Sequence, residues 1–189
     1  MSTSLVRAPD SRQRFVDAAV QLFIRHSFAG TSLQMIADEV GVTKAAVYHH
    51  FHTREELLTA VVDPLVGELR TAIEAAEMLR GRHARADRLL AGFVDIVVRS
   101  QALMGLLAGD PGVSEILRSD PRRRELFTRQ FNLFADVDPG PSGSVKAAVV
   151  MSGIGGVLRR RTFDLDDDDL RQHLIAAGRR ILGLRAPRH

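Results

Sequence analysis

The sequence has no cysteine and no tryptophan, and among its 189 residues there are only one tyrosine and two lysines. Without cysteine it can form neither a disulfide framework nor a thiolate metal site, and it has no cysteine nucleophile. The longest stretch without a charged residue runs from Ala147 to Leu158, far short of the roughly 20 residues that a membrane-spanning helix needs. Charged residues also interrupt the N-terminal segment, so it lacks the apolar core of a secretory signal. These absences predict a cytoplasmic protein without a membrane partner.

Charge is nearly balanced, with 26 lysines and arginines against 23 acidic residues and a formal net charge of +3. Such a small total does not by itself indicate a nucleic-acid partner. Arginine supplies every cation except Lys44 and Lys146, and it stays charged at any accessible pH. Residues 1–54 hold six cations, four acids and four of the seven histidines, so the small positive excess is concentrated in the first third of the chain.

Helical periodicity dominates the sequence, whereas strand-like alternation and tight hairpin turns are nearly absent. Phe15, Ala18 and Leu22 recur at helical spacing and predict the buried face of a first helix. Gly30 is expected to close the region after this helix in a left-handed conformation. The same periodicity continues to the end of the sequence, which predicts an all-α fold.

Two short helices are the most informative feature of the chain. Thr31, followed three residues later by a glutamine, has the spacing of a capping box and predicts the start of a helix at 33–40. Gly41 allows a sharp turn, and Thr43 can cap a second helix over Thr43–His50. Helices this short are unstable alone and must pack on their neighbours. The arrangement is a helix-turn-helix, in which the second helix enters the major groove of DNA.

The run from Phe23 through Gly30 to Leu58, with its Tyr-x-His-Phe element beginning at Tyr48, resembles the TetR family of bacterial transcriptional regulators. The N-terminal pattern of that family matches this chain over about fifty residues. Ala45 and Arg54 depart mildly from the pattern, since glycine and lysine are commoner there. The rest of the chain resembles the family only in length and helical content. The resemblance implies a flexible arm, a helix-turn-helix DNA-binding domain, a helical effector-binding and dimerisation domain, and a flexible tail, expected at residues 1–8, 9–56, 57–184 and 185–189.

The resemblance also implies DNA contacts for residues of the helix-turn-helix. Thr31 would bind a phosphate at the start of the first short helix. From the exposed face of the recognition helix, base edges or phosphates would be met by Thr43, Lys44, Ala45 and His49. The DNA backbone would be held by Tyr48, His50 and Arg54. The two threonines could instead be helix caps alone, and the tyrosine could be a packing aromatic. Histidines 49 and 50 would point about 100° apart on a helix, so we expect no metal site among histidines 49, 50 and 52, and no cofactor is expected.

Other signals concern the second half of the chain. Asp120 and Pro121 predict a helix start, as cap and first helical residue. The arginine run 122–124 is expected to form a solvated face, and residues 139–143 form the clearest loop. Asp164 and Asp166–Asp169 form an acidic cluster that could bind a divalent cation, although acids at a helix start also stabilise its dipole, which is the favoured interpretation. The last two helices are expected at about Ser144–Arg161 and Asp167–Leu182.

In the family, the terminal helices are implied to pair with their copies in a four-helix dimer interface. The expected interface residues are Ala147, Met151, Ile154, Gly155, Leu158, Leu174, Gly178 and Ile181. Alternatively, these helices complete the core of a single protomer. The resemblance also implies an effector pocket among the middle helices, lined by Phe93, Val97, Met104, Leu107, Phe127, Phe131 and Met151, although periodicity alone shows only a hydrophobic core. Polar anchors for an effector would be Gln101, Gln130, Asn132 or His83.

These motifs and the resemblance imply a homodimeric transcriptional regulator, expected to be a repressor, that binds a palindromic double-stranded DNA operator. A small, largely apolar effector would release it by favouring a dimer with widely spaced DNA-binding domains. Two other classes remain open: a helical ligand-binding protein that no longer selects a DNA sequence, and a small helical enzyme built around His83, Asp87 or the acidic cluster. Since the sequence has no nucleophile–base set or phosphate loop, we do not expect an enzyme.

Overall fold

The computed structural model describes residues 11–159 and 165–185, including their side chains except those of residues 106–109, 111, 158 and 159. These parts of the chain contain helices and no strand, which confirms the all-α fold. The expected arm at residues 1–8 and most of the expected tail lie outside the described residues. The helices are α1 (Ser11–His26), α2 (Leu33–Val40), α3 (Lys44–Tyr48), α4 (Arg54–Glu77), α5 (Arg82–Arg99), α6 (Gln101–Gly109), α7 (Pro111–Ser119), α8 (Pro121–Ala135), α9 (Pro141–Arg159) and α10 (Asp167–Leu182).

The chain divides into two compact units between Asp63 and Pro64, both of which lie within α4. The sequence placed the boundary earlier, between residues 56 and 57. The first part of α4 belongs to the N-terminal unit because its apolar residues, among them Leu57 and Leu58, are fully buried there. Helix α4 continues through Pro64 in spite of the hydrogen bond that proline removes.

The turn after α1 differs from its prediction. Ser27, rather than Gly30, has the left-handed backbone, with a φ of 63°. Glycine is needed at position 30 for another reason, since a Cβ built there would lie 2.2 Å from the carbonyl oxygen of His26. The expectation of a left-handed Gly30 is therefore wrong, because the close approach of two backbone segments, and not a positive φ, selects glycine there.

In the C-terminal unit, α8 packs against α9 and α5 packs against α10. Asp120 caps α8 by accepting a hydrogen bond from the Arg122 amide at 2.9 Å, as predicted. Helix α9 begins at Pro141, three residues before the predicted start, because proline needs no partner for its missing N–H in the first turn of a helix. The predicted loop over residues 139–143 is therefore partly helical.

The arginine run 122–124 is not uniformly solvated as expected. Arg123 is only 7% exposed, and its Nε lies 3.7 Å from Asp120 Oδ2. It lies on the same face of α8 as the buried Leu126 and Gln130, at spacings of three and seven residues, so helical phase turns it inward.

Within the described ranges, no helix is long and apolar enough to cross a bilayer.

Candidate nucleic-acid interface

The start of α2 is capped by a different residue from the one predicted. Ser32 is the N-cap, and its hydroxyl oxygen accepts a hydrogen bond from the Met35 amide at 3.2 Å. Thr31 is buried, and its hydroxyl donates to the carbonyl of Ser27 at 2.8 Å. The side chain of Gln34 donates to Asp38 rather than reaching back to the helix start. The predicted capping box is therefore wrong, and the hydroxyl exposed at this helix start is that of Ser32.

The turn between α2 and α3 follows the sequence prediction. Gly41 ends α2 in the left-handed region, with a φ of 74°, and its amide faces the last turn of the helix. Thr43 caps α3, with its hydroxyl oxygen accepting from the Ala46 amide at 3.3 Å. On the inner side of α3, Val47 is fully buried, as are Ile36 and Ala37 of α2. This packing fixes which face of α3 remains open to solvent.

The outer face of α3 carries three of the eight predicted DNA-contact residues, and the two residues that flank the helix are exposed as well. Tyr48 is 50% exposed, a large fraction for an aromatic side chain. Helix α3 ends at Tyr48, two residues before the predicted end, because the amides of His50 and Phe51 both donate to the Val47 carbonyl at 2.9 Å and close a turn. The exposed residues of this face and its flanks are Thr43, Lys44, Ala45, Tyr48 and His49.

The histidines after α3 make ring contacts in two separate groups. The His50 ring lies 5.4 Å from the Phe15 ring of α1 and 5.3 Å from the His49 ring, measured between centroids. The Tyr48 and His52 rings are 5.2 Å apart. His50 is thus half-buried and helps to attach the end of α3 to α1. No group of three potential metal ligands occurs in the part of the chain that the structure describes.

Arg54 is engaged within the N-terminal unit. Its Nη1 group lies within hydrogen-bond distance of three carbonyl oxygens in the connection between α1 and α2, at 3.3 Å from Phe28, 3.0 Å from Ala29 and 3.1 Å from Thr31. The guanidinium also lies 5.1 Å from the centroid of the Phe28 ring, in a cation–π contact. Arg54 therefore joins the start of α4 to that connection, a role that the sequence did not reveal because the partners are backbone atoms more than twenty residues away.

A second clamp joins α1 to α2 and was also missed. Arg25 Nη2 and Glu39 Oε1 form an ion pair at 2.7 Å between these helices. At the start of α4, Thr53 accepts from the Glu56 amide at 3.0 Å and the Glu56 carboxylate accepts from the His52 amide at 2.7 Å. A threonine with a glutamate three residues later is the sequence pattern of such a capping box, so this contact, unlike the ion pair, follows from the sequence. These contacts hold the helix-turn-helix between α1 and α4, which sets the orientation of α3.

Several predicted dimer-interface residues are buried inside the protomer instead. Ala147 and Ile154 of α9 and Leu174 of α10 are core residues. Gly178 of α10 is also buried, and a Cβ there would lie 2.7 Å from a methyl carbon of Leu90. The burial of these four residues agrees with the alternative that the terminal helices complete the core of a single protomer, and the dimer interface stays a prediction. Ile181 is exposed, Met151 and Gly155 are half-buried, and the side chain of Leu158 lies outside the described residues.

Three of the predicted pocket residues share a cavity, whereas the others do not line it. Phe127 and Phe131 of α8 and Met151 of α9 line a cavity of about 470 Å³ beside α7. Val97 is fully buried in the core, the Phe93 ring lies 6.5 Å from the Phe134 ring, and Met104 is half-buried elsewhere. The side chain of Leu107 lies outside the described residues.

Of the four polar residues predicted to anchor an effector, Gln130 is buried and lacks a hydrogen-bond partner for its amide nitrogen among the described residues. It is only 1% exposed. Gln101 donates to the Asp167 carboxylate at 2.7 Å. His83 and Asn132 are exposed. Gln130 alone of the four thus offers a free donor inside the C-terminal unit.

The carboxylates on which a small helical enzyme would depend, those of Asp87 and the acidic cluster, take part in structural contacts. Asp87 accepts two hydrogen bonds from the Arg179 guanidinium, at 2.6 and 3.1 Å, and this bond raises the pKa of Arg179. Asp166 caps α10 through the amides of Asp168 and Asp169, and Asp168 pairs with Arg171. The acidic cluster therefore stabilises the start of α10, as its position relative to the helix dipole indicated. Asp164 lies outside the described residues.

Comparison with known proteins gives the same class from two directions. Residues 15–61 match the family model for bacterial regulatory proteins of the tetR family. The chain is 38% identical to the HTH-type transcriptional regulator TtgR of Pseudomonas putida over 191 aligned positions, which cover 86% of this chain and 85% of TtgR. A match to the HTH-type regulator SrpR of Pseudomonas putida is 42% identical over 55 residues, but the chain spans only 26% of that protein.

Solved structures agree in fold. A regulatory protein of the tetR family from Rhodococcus RHA1 superposes with a TM-score of 0.72 at 18% identity, covering 95% of this chain and all of the other. The TetR-family regulator PfmR of Thermus thermophilus does so with a TM-score of 0.68 at 19% identity, covering 96% of this chain and all of PfmR. At these identities the likeness shows the fold alone, whereas the match to TtgR extends over most of both sequences. The chain therefore belongs to the TetR family of DNA-binding transcriptional regulators.

Proposed function

We propose that the protein is a homodimeric repressor that binds a palindromic operator and leaves it when a small, largely apolar effector binds. The observation that carries the DNA-binding part is the exposed outer face of α3, presented by a helix whose inner residue Val47 is completely buried. A short rigid helix of this kind matches the recognition element of a helix-turn-helix. No catalytic step is part of the proposal.

Base selection in this proposal depends on few side chains. Lys44 is the one cation on the outer face of α3, suited to a guanine edge or a neighbouring phosphate. Ala45 can contact a thymine methyl group, and Tyr48 can hold the DNA backbone through its hydroxyl. Because so few polar side chains could hydrogen-bond to base edges, part of the sequence selectivity would come from the shape of the DNA.

Three of the proposed DNA contacts change in the light of the structure. The Thr31 hydroxyl is buried and already bonded, so Ser32 takes its place as the exposed hydroxyl that faces a phosphate at the start of α2. Arg54 acts through the backbone of the α1–α2 connection and not directly on a phosphate. His50 contributes mainly by its contact with Phe15.

The sequence-selection claim is tested first by isolating genomic DNA fragments bound by the purified protein at several salt concentrations. A palindromic consensus supports the proposal. Retention of DNA with a steep salt dependence but no consensus would mean phosphate binding alone and would contradict it.

Replacing Lys44 with alanine is expected to weaken binding to that consensus about tenfold, because a base or phosphate contact of this kind contributes on the order of 1–3 kcal/mol. Tyr48→Phe is expected to weaken it less, since only the hydroxyl is lost. The measurement is the operator dissociation constant by fluorescence anisotropy. Lys146→Ala is the matched control, because the only other lysine pairs with Asp138 in the C-terminal unit. Equal affinities for wild type and both α3 variants would contradict the assignment of α3.

The proposed dimer uses the part of α9 and α10 that the protomer leaves open. On α9, Val145 is 61% exposed and Val149 is 48% exposed, one helical turn apart, and Gly153 continues the same line. On α10, which packs against α9, Ile181 and Ala177 are exposed. Apolar residues that recur on one exposed face indicate an interaction surface. A two-fold dimer through this face would place the recognition helices one helical turn of DNA apart.

Replacing Val149 with aspartate is expected to raise the dimer dissociation constant at least about tenfold, because a buried, unpaired carboxylate opposes association. The measurement is sedimentation equilibrium of the full chain. Ile24→Asp is the control, since Ile24 is also an exposed apolar residue but belongs to α1 of the N-terminal unit. Identical mass distributions for wild type and Val149→Asp would contradict this interface.

A further inference from the structure

The cavity beside α7 is lined by apolar side chains and by two positively charged arginines. Phe127 and Phe131 of α8, Leu117 of α7 and Met151 of α9 supply its apolar floor. Its volume of about 470 Å³ lies within the roughly 300–1,000 Å³ typical of small-molecule sites. The cavity is therefore large enough for a ligand with an apolar body.

Two arginines, Arg118 and Arg124, belong to the lining of this cavity. Arg124 donates from Nε and Nη2 to the backbone carbonyl of Arg118, at 3.2 and 3.1 Å, which fixes the position of its guanidinium. The Arg118 side chain is exposed and has no hydrogen bond or ion pair with any residue in the described ranges. One guanidinium is thus held in place by the fold, and the other has no hydrogen-bond partner among the residues that the structure describes.

The described lining of the cavity contains no acidic residue. Ser114 and Thr128 complete that lining. Asp120, between α7 and α8, has Arg123 as its partner. Glu115 and Glu125 are exposed on the same two helices but do not line the cavity. Two cations without a carboxylate beside an apolar floor favour a ligand of opposite charge.

We infer that this cavity binds a small amphipathic monoanion, with its apolar body on Phe127, Phe131 and Met151 and its carboxylate at Arg118 and Arg124. Guanidinium groups bind carboxylates through charge-assisted hydrogen bonds, whereas a neutral hydroxyl offers a weaker acceptor. The inference rests on the proposed function where it makes this anion the effector, and it sharpens that function, since an apolar effector becomes one with a single anionic end.

The test compares three ligands of equal chain length, sodium octanoate, 1-octanol and octylammonium, by isothermal titration calorimetry on the full-length protein. Octanoate is expected to bind at least about tenfold more tightly than octanol, and octylammonium more weakly than either. Arg118→Gln should reduce octanoate affinity to nearly that of octanol and leave octanol affinity unchanged. Because the Arg118 side chain is exposed and has no hydrogen bond or ion pair with the residues that the structure describes, this variant is expected to keep the fold, which its thermal unfolding midpoint checks.

Arg122→Gln is the matched control, because Arg122 is also exposed at the start of α8 but does not line the cavity. It should bind octanoate as wild type does. Phe131→Ala should weaken octanoate and octanol together. Equal affinities of wild type for octanoate and octanol, no binding of octanoate at all, or an unchanged affinity in Arg118→Gln would each overturn the inference.

Calorimetry without DNA separates this site from the regulatory role. A protein that binds octanoate as expected but selects no DNA consensus would contradict the proposed function and leave the anion site supported. Conversely, a protein that selects an operator but prefers octanol would retain the proposed function and overturn the anion site.

Discussion

Replacing Gly30 with alanine is expected to lower the free energy of unfolding of the N-terminal unit by about 3 kcal/mol, the upper end of the usual cost of overpacking. The new Cβ would lie 2.2 Å from the His26 carbonyl oxygen and 3.3 Å from its carbon. Both are backbone atoms at the end of α1, so no side-chain rotation relieves the clash. The measurement is urea unfolding followed by tyrosine fluorescence, which reports on this unit because Tyr48 is the only tyrosine and the protein has no tryptophan.

Gly41→Ala provides the matched control in the same unit. Gly41 has a φ of 74° but nothing within 4 Å of an added Cβ, so alanine there incurs only the cost of a left-handed residue, roughly 1–2 kcal/mol. Operator affinity should follow the same order, since Gly30→Ala shifts α1 against the helix-turn-helix. A Gly30→Ala variant that is as stable as wild type, or more stable than Gly41→Ala, would refute the close-approach explanation.

Sequence reasoning succeeded where a feature depends on neighbouring residues. The caps at Thr43 and Asp120 and the turn at Gly41 follow from the chemistry of residues within three positions, and all three are confirmed. The helix-turn-helix was predicted for the same reason, because its motif lies in one continuous run. Local chemistry of this kind needs no knowledge of the tertiary fold.

Position 31 shows where such local reasoning becomes ambiguous. Thr31 and Ser32 are adjacent hydroxyl residues, and either could cap a helix that starts at Leu33. The choice depends on Ser27, whose left-handed backbone brings its carbonyl to 2.8 Å from the Thr31 hydroxyl. That conformation is rare for serine, and nothing in the sequence announces it.

The terminal helices show a second limit of reasoning from local sequence. Periodicity shows that Ala147, Ile154 and Leu174 form apolar stripes, but it does not show which surface covers them. In the structure α9 packs against α6 and α8, α10 packs against α5 and α9, and the valines at positions 145 and 149 are exposed. A signal was present, because these valines recur one turn apart on the opposite face of α9 from the buried residues.

Replacing Arg54 with methionine is expected to destabilise the N-terminal unit by about 2 kcal/mol, since a charged group that donates to backbone carbonyls contributes roughly 1.5–3 kcal/mol and this side chain is half-buried. Methionine keeps an unbranched apolar chain beside Phe28 but cannot donate to the three carbonyls. Operator affinity should fall as well, because the α1–α2 connection loses its attachment to α4. The two measurements are tyrosine-detected unfolding and the operator dissociation constant.

The salt dependence of operator binding distinguishes this positioning role from a direct phosphate contact. Each phosphate contact contributes about 0.9 to the slope of log affinity against log salt concentration. Arg54→Met should weaken binding and leave that slope unchanged, whereas Lys44→Ala, if Lys44 contacts a phosphate, should reduce it by about one such step. Arg54→Lys should fall between wild type and Arg54→Met in stability, because an ammonium keeps the charge but lacks the planar guanidinium that stacks on Phe28. A slope lowered by Arg54→Met at unchanged stability would instead assign Arg54 to the DNA backbone.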